Sequence, residues 1–336
     1  MSTPASRLIG RCLAAVLLAA VGHDLARADI AAQSAVMAQA EQSADQLTEV
    51  VVRAAEPRYV APTRRDGIGR IWAPVYINDR GPFRLVLDSG ANHSGINAGV
   101  VEALGLTPDA THQMLLRGVT GSATVATVRV DSLLIGDLAL GPSRLPILTD
   151  PLGGADGILG TEQMAGRRIV VDFRHDMIAI TRSHNERAAA GFRTIPFELV
   201  RGNLLAVNAS IGGVHTLAII DTGGEATIAN LALRQALEHR SSRLNTRPDT
   251  ITGVTTDVQA GDEAQTPPLV IPALEQHGDI EIRYADVTFG DMHIFDHWHL
   301  TGEPAMLIGM DTLGWLDTLI IDYRRHELQI KMRDGP

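Results

Sequence analysis

Two short apolar runs, residues 83–87 and 216–220, end in the same kind of tripeptide: Asp88-Ser89-Gly90 and Asp221-Thr222-Gly223. A run of this type closing on an acidic residue and a glycine reads as a buried strand that delivers a carboxylate into a tight turn. A chain that does this twice can bring two aspartates face to face across a pseudo-two-fold axis. No other feature of the sequence restricts the fold so strongly.

The tripeptides head an ordered series of matches between the halves. Gly118-Val119-Thr120 matches Gly253-Val254-Thr255, and Ile135-Gly136-Asp137 matches Phe289-Gly290-Asp291. Ile158-Leu159-Gly160 matches Leu307-Ile308-Gly309, and Val170-Val171-Asp172-Phe173-Arg174 matches Ile320-Ile321-Asp322-Tyr323-Arg324. The separations run 133, 135, 154, 149 and 150 residues, always in the same order, which is the mark of an internal repeat. The jump to 154 places extra sequence in the second half around residues 256–283, expected as a long surface loop or an extended flap region. A short helical pattern follows each Asp turn, at residues 99–106 and 231–238, and the halves join near residues 182–194. Asp172 and Asp322 follow late apolar strands and read as structural turn formers or partners of the neighbouring arginines.

The segment Leu85-Val86-Leu87-Asp88-Ser89-Gly90-Ala91-Asn92-His93-Ser94-Gly95-Ile96 resembles the active-site segment of retropepsin-type aspartic peptidases. Ile158-Leu159-Gly160 is similar to the apolar-apolar-Gly segment that crosses behind that site. The resemblance covers roughly residues 71–332 and implies a mostly β chain. It would have two acid-protease (retropepsin-like) β-barrel lobes, 71–190 and 191–333, related by a pseudo-two-fold axis. It implies Asp88 and Asp221 as the catalytic pair, supported by Ser89, Gly90, Thr222 and Gly223, with the two hydroxyls bonded across the interface. It also places the substrate-covering flap at Gly118, Val119, Thr120 and Gly121.

The chemistry follows from the residue types. Two adjacent carboxylates cannot both ionise cheaply, so the pair holds one proton and titrates in two coupled steps. The ionised partner takes a proton from a water between them, and the protonated partner donates to the scissile carbonyl oxygen. No cofactor, metal or covalent intermediate is needed. The sequence departs from the pepsin pattern in having no flap Tyr between residues 115 and 128. It also lacks a hydroxyl residue after either tripeptide, where Ala91 and Gly224 stand. Such a hydroxyl depresses the carboxylate pKa, so activity is expected at mildly acidic to neutral pH.

The chain has 336 residues, 45% hydrophobic and 20% charged, which allows two modest globular lobes. Aromatics make up only 4%, so the cores must come mainly from Val, Ile, Leu and Ala. A net charge of −10 argues against a nucleic-acid or anionic-membrane partner. Arg7, Arg11, the apolar residues 13–21 and Ala26-Arg27-Ala28 read as a secretory signal spanning residues 1–28, too short an apolar stretch for a stable membrane span. The protein is therefore expected to be exported, periplasmic or secreted. Its single cysteine, Cys12, lies inside that signal, so the mature chain would hold neither a disulfide nor a Cys nucleophile.

Residues 29–70 read as a helical or flexible linker, with one amphipathic helix over residues 31–55. His293, His297 and His299, with Asp296, surround Trp298 and read as a wet strand face rather than a metal site. There is no His-Glu-x-x-His helix, Gly-x-Ser-x-Gly elbow or phosphate-cradling Gly loop. Two functions remain open: an exported aspartic endopeptidase acting on peptide or protein substrates, and a two-lobe peptide-binding protein of the cell envelope with weak or no hydrolysis. A dimer is not required in either case, because one chain supplies both aspartates.

Overall fold

The computed structural model describes residues 50–53, 70, 72–135, 138–149, 153–162, 164–175, 177–240, 243–274 and 278–333. The signal reading at 1–28 and most of the linker reading at 29–70 lie outside the described residues. The described chain is mostly β, as the short apolar runs and Gly/Pro/Asp punctuation indicate. Among the described residues no helix is long and apolar enough to cross a membrane.

The strands that lead to the two aspartates are threaded in the same way. In the first half, Arg80–Leu87 pairs antiparallel with Trp72–Ile77 and parallel with Gly157–Leu159, which also pairs antiparallel with Gly95–Asn97. In the second half, Val214–Ile220 pairs antiparallel with Leu204–Ile211 and parallel with Ala305–Ile308, which also pairs antiparallel with Ile228–Ala229. Each Asp turn thus leaves one side of a central strand and returns to the other. Enclosure on both faces explains why Leu85-Val86-Leu87 and Ala218-Ile219-Ile220 are continuous buried runs rather than alternating ones.

Both short helices appear, as Ala98–Leu104 and Leu231–Arg240. Asn97 caps the first by accepting from the Val100 backbone N–H at 2.8 Å, and Asn230 does the same for Leu233 at 2.9 Å. Gly105 closes the first helix with φ +65°, a left-handed position that suits glycine.

A third, six-stranded sheet joins the halves. Its order is Val50–Arg53, Met177–Arg182, Arg167–Asp172, Leu316–Asp322, Glu327–Met332 and Arg193–Pro196. The repeated late strands pair with each other at its centre, with Val170 opposite Ile320. Four residues of the expected helix, Val50–Arg53, form an edge strand on Met177–Arg182 instead. The open backbone edge of that strand supplies a partner which a periodicity argument cannot see.

Two further expectations are corrected. Ile135 ends a strand paired with Trp72–Ile77, whereas Phe289 ends Asp286–Phe289, which runs parallel to Ile228–Ala229. The first-half strand that runs parallel in this way, to Gly95–Asn97, is Ser143–Leu148, so the pairing of Ile135-Gly136-Asp137 with Phe289-Gly290-Asp291 fails. Nor is 256–283 one long loop, since it holds the strands Val258–Gln265, Leu269–Ile271 and Ile280–Ile282. The extra sequence lies largely between Ile271 and Ile280 and between Phe289 and Ala305.

Asp172 and Asp322 are structural, as expected. Asp172 accepts from the backbone of Arg174 and His175 and meets the His175 ring at 2.8 Å. Asp322 is fully buried and accepts from the Ser183 hydroxyl at 2.9 Å and from the Arg324 and Arg325 backbones. It also meets Arg168 Nη1 at 3.4 Å, while Arg168 Nη2 donates to the buried Gln329. Removing one member of a buried charged network strands the others. Asp322→Ala is expected to lower the unfolding free energy by about 3–5 kcal/mol, read from urea denaturation. A loss no larger than the ~1 kcal/mol of a surface pair would contradict the buried network.

Candidate active site

Each aspartate is anchored first through its backbone. Asp88 N donates to Leu159 O and Asp221 N to Ile308 O, both at 3.0 Å, so the strand crossing behind each turn sets its height. The two turns are then locked to each other. Ser89 N donates to Thr222 Oγ1 and Thr222 N to Ser89 Oγ, both at 3.0 Å. Each hydroxyl passes its own proton back across, Ser89 Oγ to Ile220 O and Thr222 Oγ1 to Leu87 O, both at 2.8 Å. Both hydroxyls act as donor and acceptor at once, and both side chains are buried.

The glycines are required by this approach. A Cβ on Gly90 would lie 2.6 Å from Asp221 Oδ1, and one on Gly223 would meet the Asp88 carboxyl. Any other residue at either position would displace the opposite carboxylate. Both aspartates are largely buried.

Burial first, and then the charge of Asp221, push the Asp88 carboxyl well above its ordinary value. Burial also raises Asp221. It is opposed there by the backbone N–H groups of Gly224 (2.8 Å) and Gly223 (3.0 Å), then by a hydrogen bond from Asp88. Asp88 receives only one such backbone donor, from Gly90 at 2.8 Å. Two backbone donors against one favour the negative charge on Asp221 and the shared proton on Asp88. Gly224 lacks a hydroxyl, as noted in the sequence, but its backbone N–H favours the charged form of Asp221.

Sequence reasoning missed a brace behind each turn. Ser94 N donates to Glu162 Oε1 at 2.9 Å, and Gly160 N donates to Ser94 Oγ at 3.0 Å. In the second half Thr227 donates twice to Asp311, through N at 2.7 Å and Oγ1 at 2.5 Å, and Gly309 N donates to Thr227 Oγ1 at 3.1 Å. Burial raises the Asp311 pKa, countered by these Thr227 bonds. The signal was present: a hydroxyl residue stands six positions after each aspartate, and an acid two positions after each later glycine.

The dyad opens into a cleft of about 580 Å³ lined by residues of both halves, among them Arg70, His93, Arg117, Glu225, His297 and Trp298. Gly118, Val119, Thr120 and Gly121 form the tip of a hairpin, closed by Gly118 N donating to Gly121 O at 2.8 Å. A second hairpin, Thr246–Thr252 with Val258–Gln265, meets it tip to tip. A Cβ on Gly118 would sit 3.0 Å from Val254 Cγ1; one on Gly121 would strike Asp257, and one on Gly253 would strike Thr120.

The His293/His297/His299 segment is not a strand. His293–His297 forms a short helix, because Trp298 and Leu300 turn inward with Ile294 and Phe295 into an apolar cluster that a flat strand could not fill. Among the described residues no group of three or more His, Cys, Asp or Glu could hold a metal ion. The helix instead holds the first hairpin: Ile294 N donates to Val119 O at 3.1 Å, and His293 Nε2 lies 2.7 Å from Ser122 Oγ. Desolvation, followed by electrostatic repulsion from its neighbours Arg117 and Arg201, lowers the His297 pKa.

Residues 73–162 match the model of a family described as aspartyl protease. This stretch, which carries Asp88 and the first hairpin, is of the retropepsin type. Such a domain points to a hydrolase of the peptidase kind acting on peptides. No curated protein matches the chain.

The raised Asp88 pKa has a consequence for stability. Its folded value lies above the ordinary 3.8, so its stabilising contribution is complete below pH 3.8 and is lost as pH rises through the folded pKa. In that window the native protein should lose stability relative to Asp88→Asn, with a slope of up to about 1.4 kcal/mol per pH unit. Asp88→Asn should therefore be the more stable form at neutral pH. Urea titrations of both proteins from pH 3 to 8 measure this, and parallel curves would contradict a proton held on Asp88.

Proposed function

We propose that this chain is an exported, cofactor-free aspartic endopeptidase built as two retropepsin-like lobes, 71–190 and 191–333, with Asp88 and Asp221 as its catalytic pair. One observation carries the reading: two buried carboxyls are locked together by the Ser89/Thr222 bonds, with unequal backbone support that favours one shared proton. An extended peptide would lie in the cleft beneath the two hairpins. Asp221 would take a proton from a water held between the carboxyls while Asp88 donates its proton to the scissile carbonyl oxygen. The water oxygen bonds to the carbonyl carbon, giving a neutral diol. Breaking the C–N bond then returns one diol proton to Asp88, and the proton on Asp221 passes to the departing nitrogen. Asp221 is left ionised, as it began.

Asp88→Asn and Asp221→Asn are each expected to reduce cleavage of an unfolded protein by about 10²–10⁴-fold, the scale of general acid–base catalysis. Cleavage that survives both substitutions would refute the dyad mechanism. The raised carboxyl pKa values support activity from mildly acidic to neutral pH. A rate maximum below about pH 3, near the lower pepsin dyad pKa, would count against it.

A second reading has its own support. The hairpin tips press on each other, and the first is tied to the His293–His297 helix. A cleft held closed in this way suits retention of a peptide with weak or no turnover. Peptide binding without cleavage at any pH from 3 to 8 would favour it. Export rests on the residues at 1–28, and Edman sequencing of the secreted form is expected to start at Asp29; a protein kept inside the cell with Met1 intact would refute it.

A further inference from the structure

The two halves wall the cleft unequally. Eight residues separate Leu148 from Gly157 in the first half, whereas fifteen separate Phe289 from Ala305, and the longer segment builds a helix, His293–His297. That helix brings His297 and Trp298 into the lining of the cleft. Arg117 reaches the same region from the first hairpin. It pairs in register with Ser122, and cross-strand partners project to the same face, so Arg117 lies beside the side chain that touches His293 at 2.7 Å. Arg201 closes the group by donating to Trp298 O at 2.5 Å.

Two carboxylates stand nearby, both exposed. Asp257 packs against Gly121 at the hairpin tip, and Asp296 is exposed on the helix. Across the cleft, Arg70 is matched by Glu225 at 3.5 Å. Among the described residues neither Arg117 nor Arg201 forms an ion pair. The guanidiniums of Arg117 and Arg201 both disfavour a charge on His297, in a chain whose net charge is −10. Arg117 on the cleft wall, with Arg201 held on Trp298 O next to His297, attracts and orients negative charge within an acidic protein.

We propose that Arg117, with the His297 ring and the Arg201 guanidinium next to it, forms a subsite for an acidic side chain of the bound peptide, on one side of the dyad only. This rests on the reading of the cleft as a peptide site. It would give direction to a cleft whose central machinery is close to symmetric, since a peptide inserted backwards would place its carboxylate on the Arg70/Glu225 side. Arg117 is exposed at the rim, so its replacement should leave the fold intact.

The test uses the Asp221→Asn protein, in which binding is read without hydrolysis, and fluorescein-labelled peptides that differ only in Glu, Gln or Lys at one position. Fluorescence anisotropy should show the Glu peptide binding roughly three- to fivefold tighter than the Gln peptide, the scale of a solvent-exposed ion pair, at positions on one side only. The preference should vanish at about 1 M salt, where the screening length falls to roughly 3 Å. Adding Arg117→Glu should reverse it in favour of Lys, and Arg117→Met should abolish it. Equal binding of the three peptides, a preference that survives high salt, or one unchanged by Arg117→Glu would overturn the subsite. Cleavage by the unsubstituted protein is scored separately: hydrolysis without a charge preference defeats the subsite alone, and charge-selective binding without hydrolysis defeats the peptidase reading alone.

Discussion

Two hydrogen bonds between Ser89 and Thr222, with one more from each hydroxyl to Ile220 O and Leu87 O, hold the rest of the arrangement in place. They tie two distant turns by side chain to backbone in both directions, and they leave no polar atom of either hydroxyl idle. With the turns that close, each glycine faces the opposite carboxylate, and neither position tolerates a side chain. The two carboxyls then share a buried space in which only one charge is easily accommodated. The backbone donors decide which group bears it, two for Asp221 against one for Asp88. The chemistry of the site is therefore a consequence of how the turns are locked.

The symmetry of that centre contrasts with the asymmetry above it. Strand threading, helix caps at Asn97 and Asn230, and the braces on Glu162 and Asp311 recur in both halves. The segment between Phe289 and Ala305 is longer than the one between Leu148 and Gly157, and it is where the first hairpin finds its anchor. A nearly symmetric dyad can accept a peptide in either direction. The subsite proposed above would draw its direction from the unequal walls, to which this segment adds His297 and Trp298.

Much of this was legible along the chain because it depends on local patterns. An apolar run ending in Asp, hydroxyl residue and Gly is a short, period-independent signal, and its repetition located both carboxyls. The equal spacing of Ser94 and Thr227 after the aspartates carried the braces too, although their partners lie more than sixty residues away and only the fold brings them together. Where the pattern was short and polar, reading it failed. His293–His297 is five residues long, so strand and helix periodicities could not be separated, and packing of Ile294, Phe295 and Trp298 decided the outcome. The Ile-Gly-Asp and Phe-Gly-Asp match failed for a related reason. A strand end followed by Gly-Asp occurs at many turns, and only hydrogen-bonded neighbours distinguish one strand from another.

By itself the sequence determined that the chain is mostly β, that it repeats an Asp turn, and which residues could form the central site. These depend on residue type, local spacing and the order of markers, all of which survive without coordinates. Tertiary structure alone decided which carboxylate has the greater backbone support, because two N–H groups reach Asp221 and one reaches Asp88 only once the turns have closed. It also decided that Val50–Arg53 adds an edge strand, that two hairpins meet over the cleft, and that Arg117 stands beside the His293–His297 helix. Each of these is a contact between segments far apart in the chain, chosen by which surfaces were left to be covered once the two Asp turns had closed on each other.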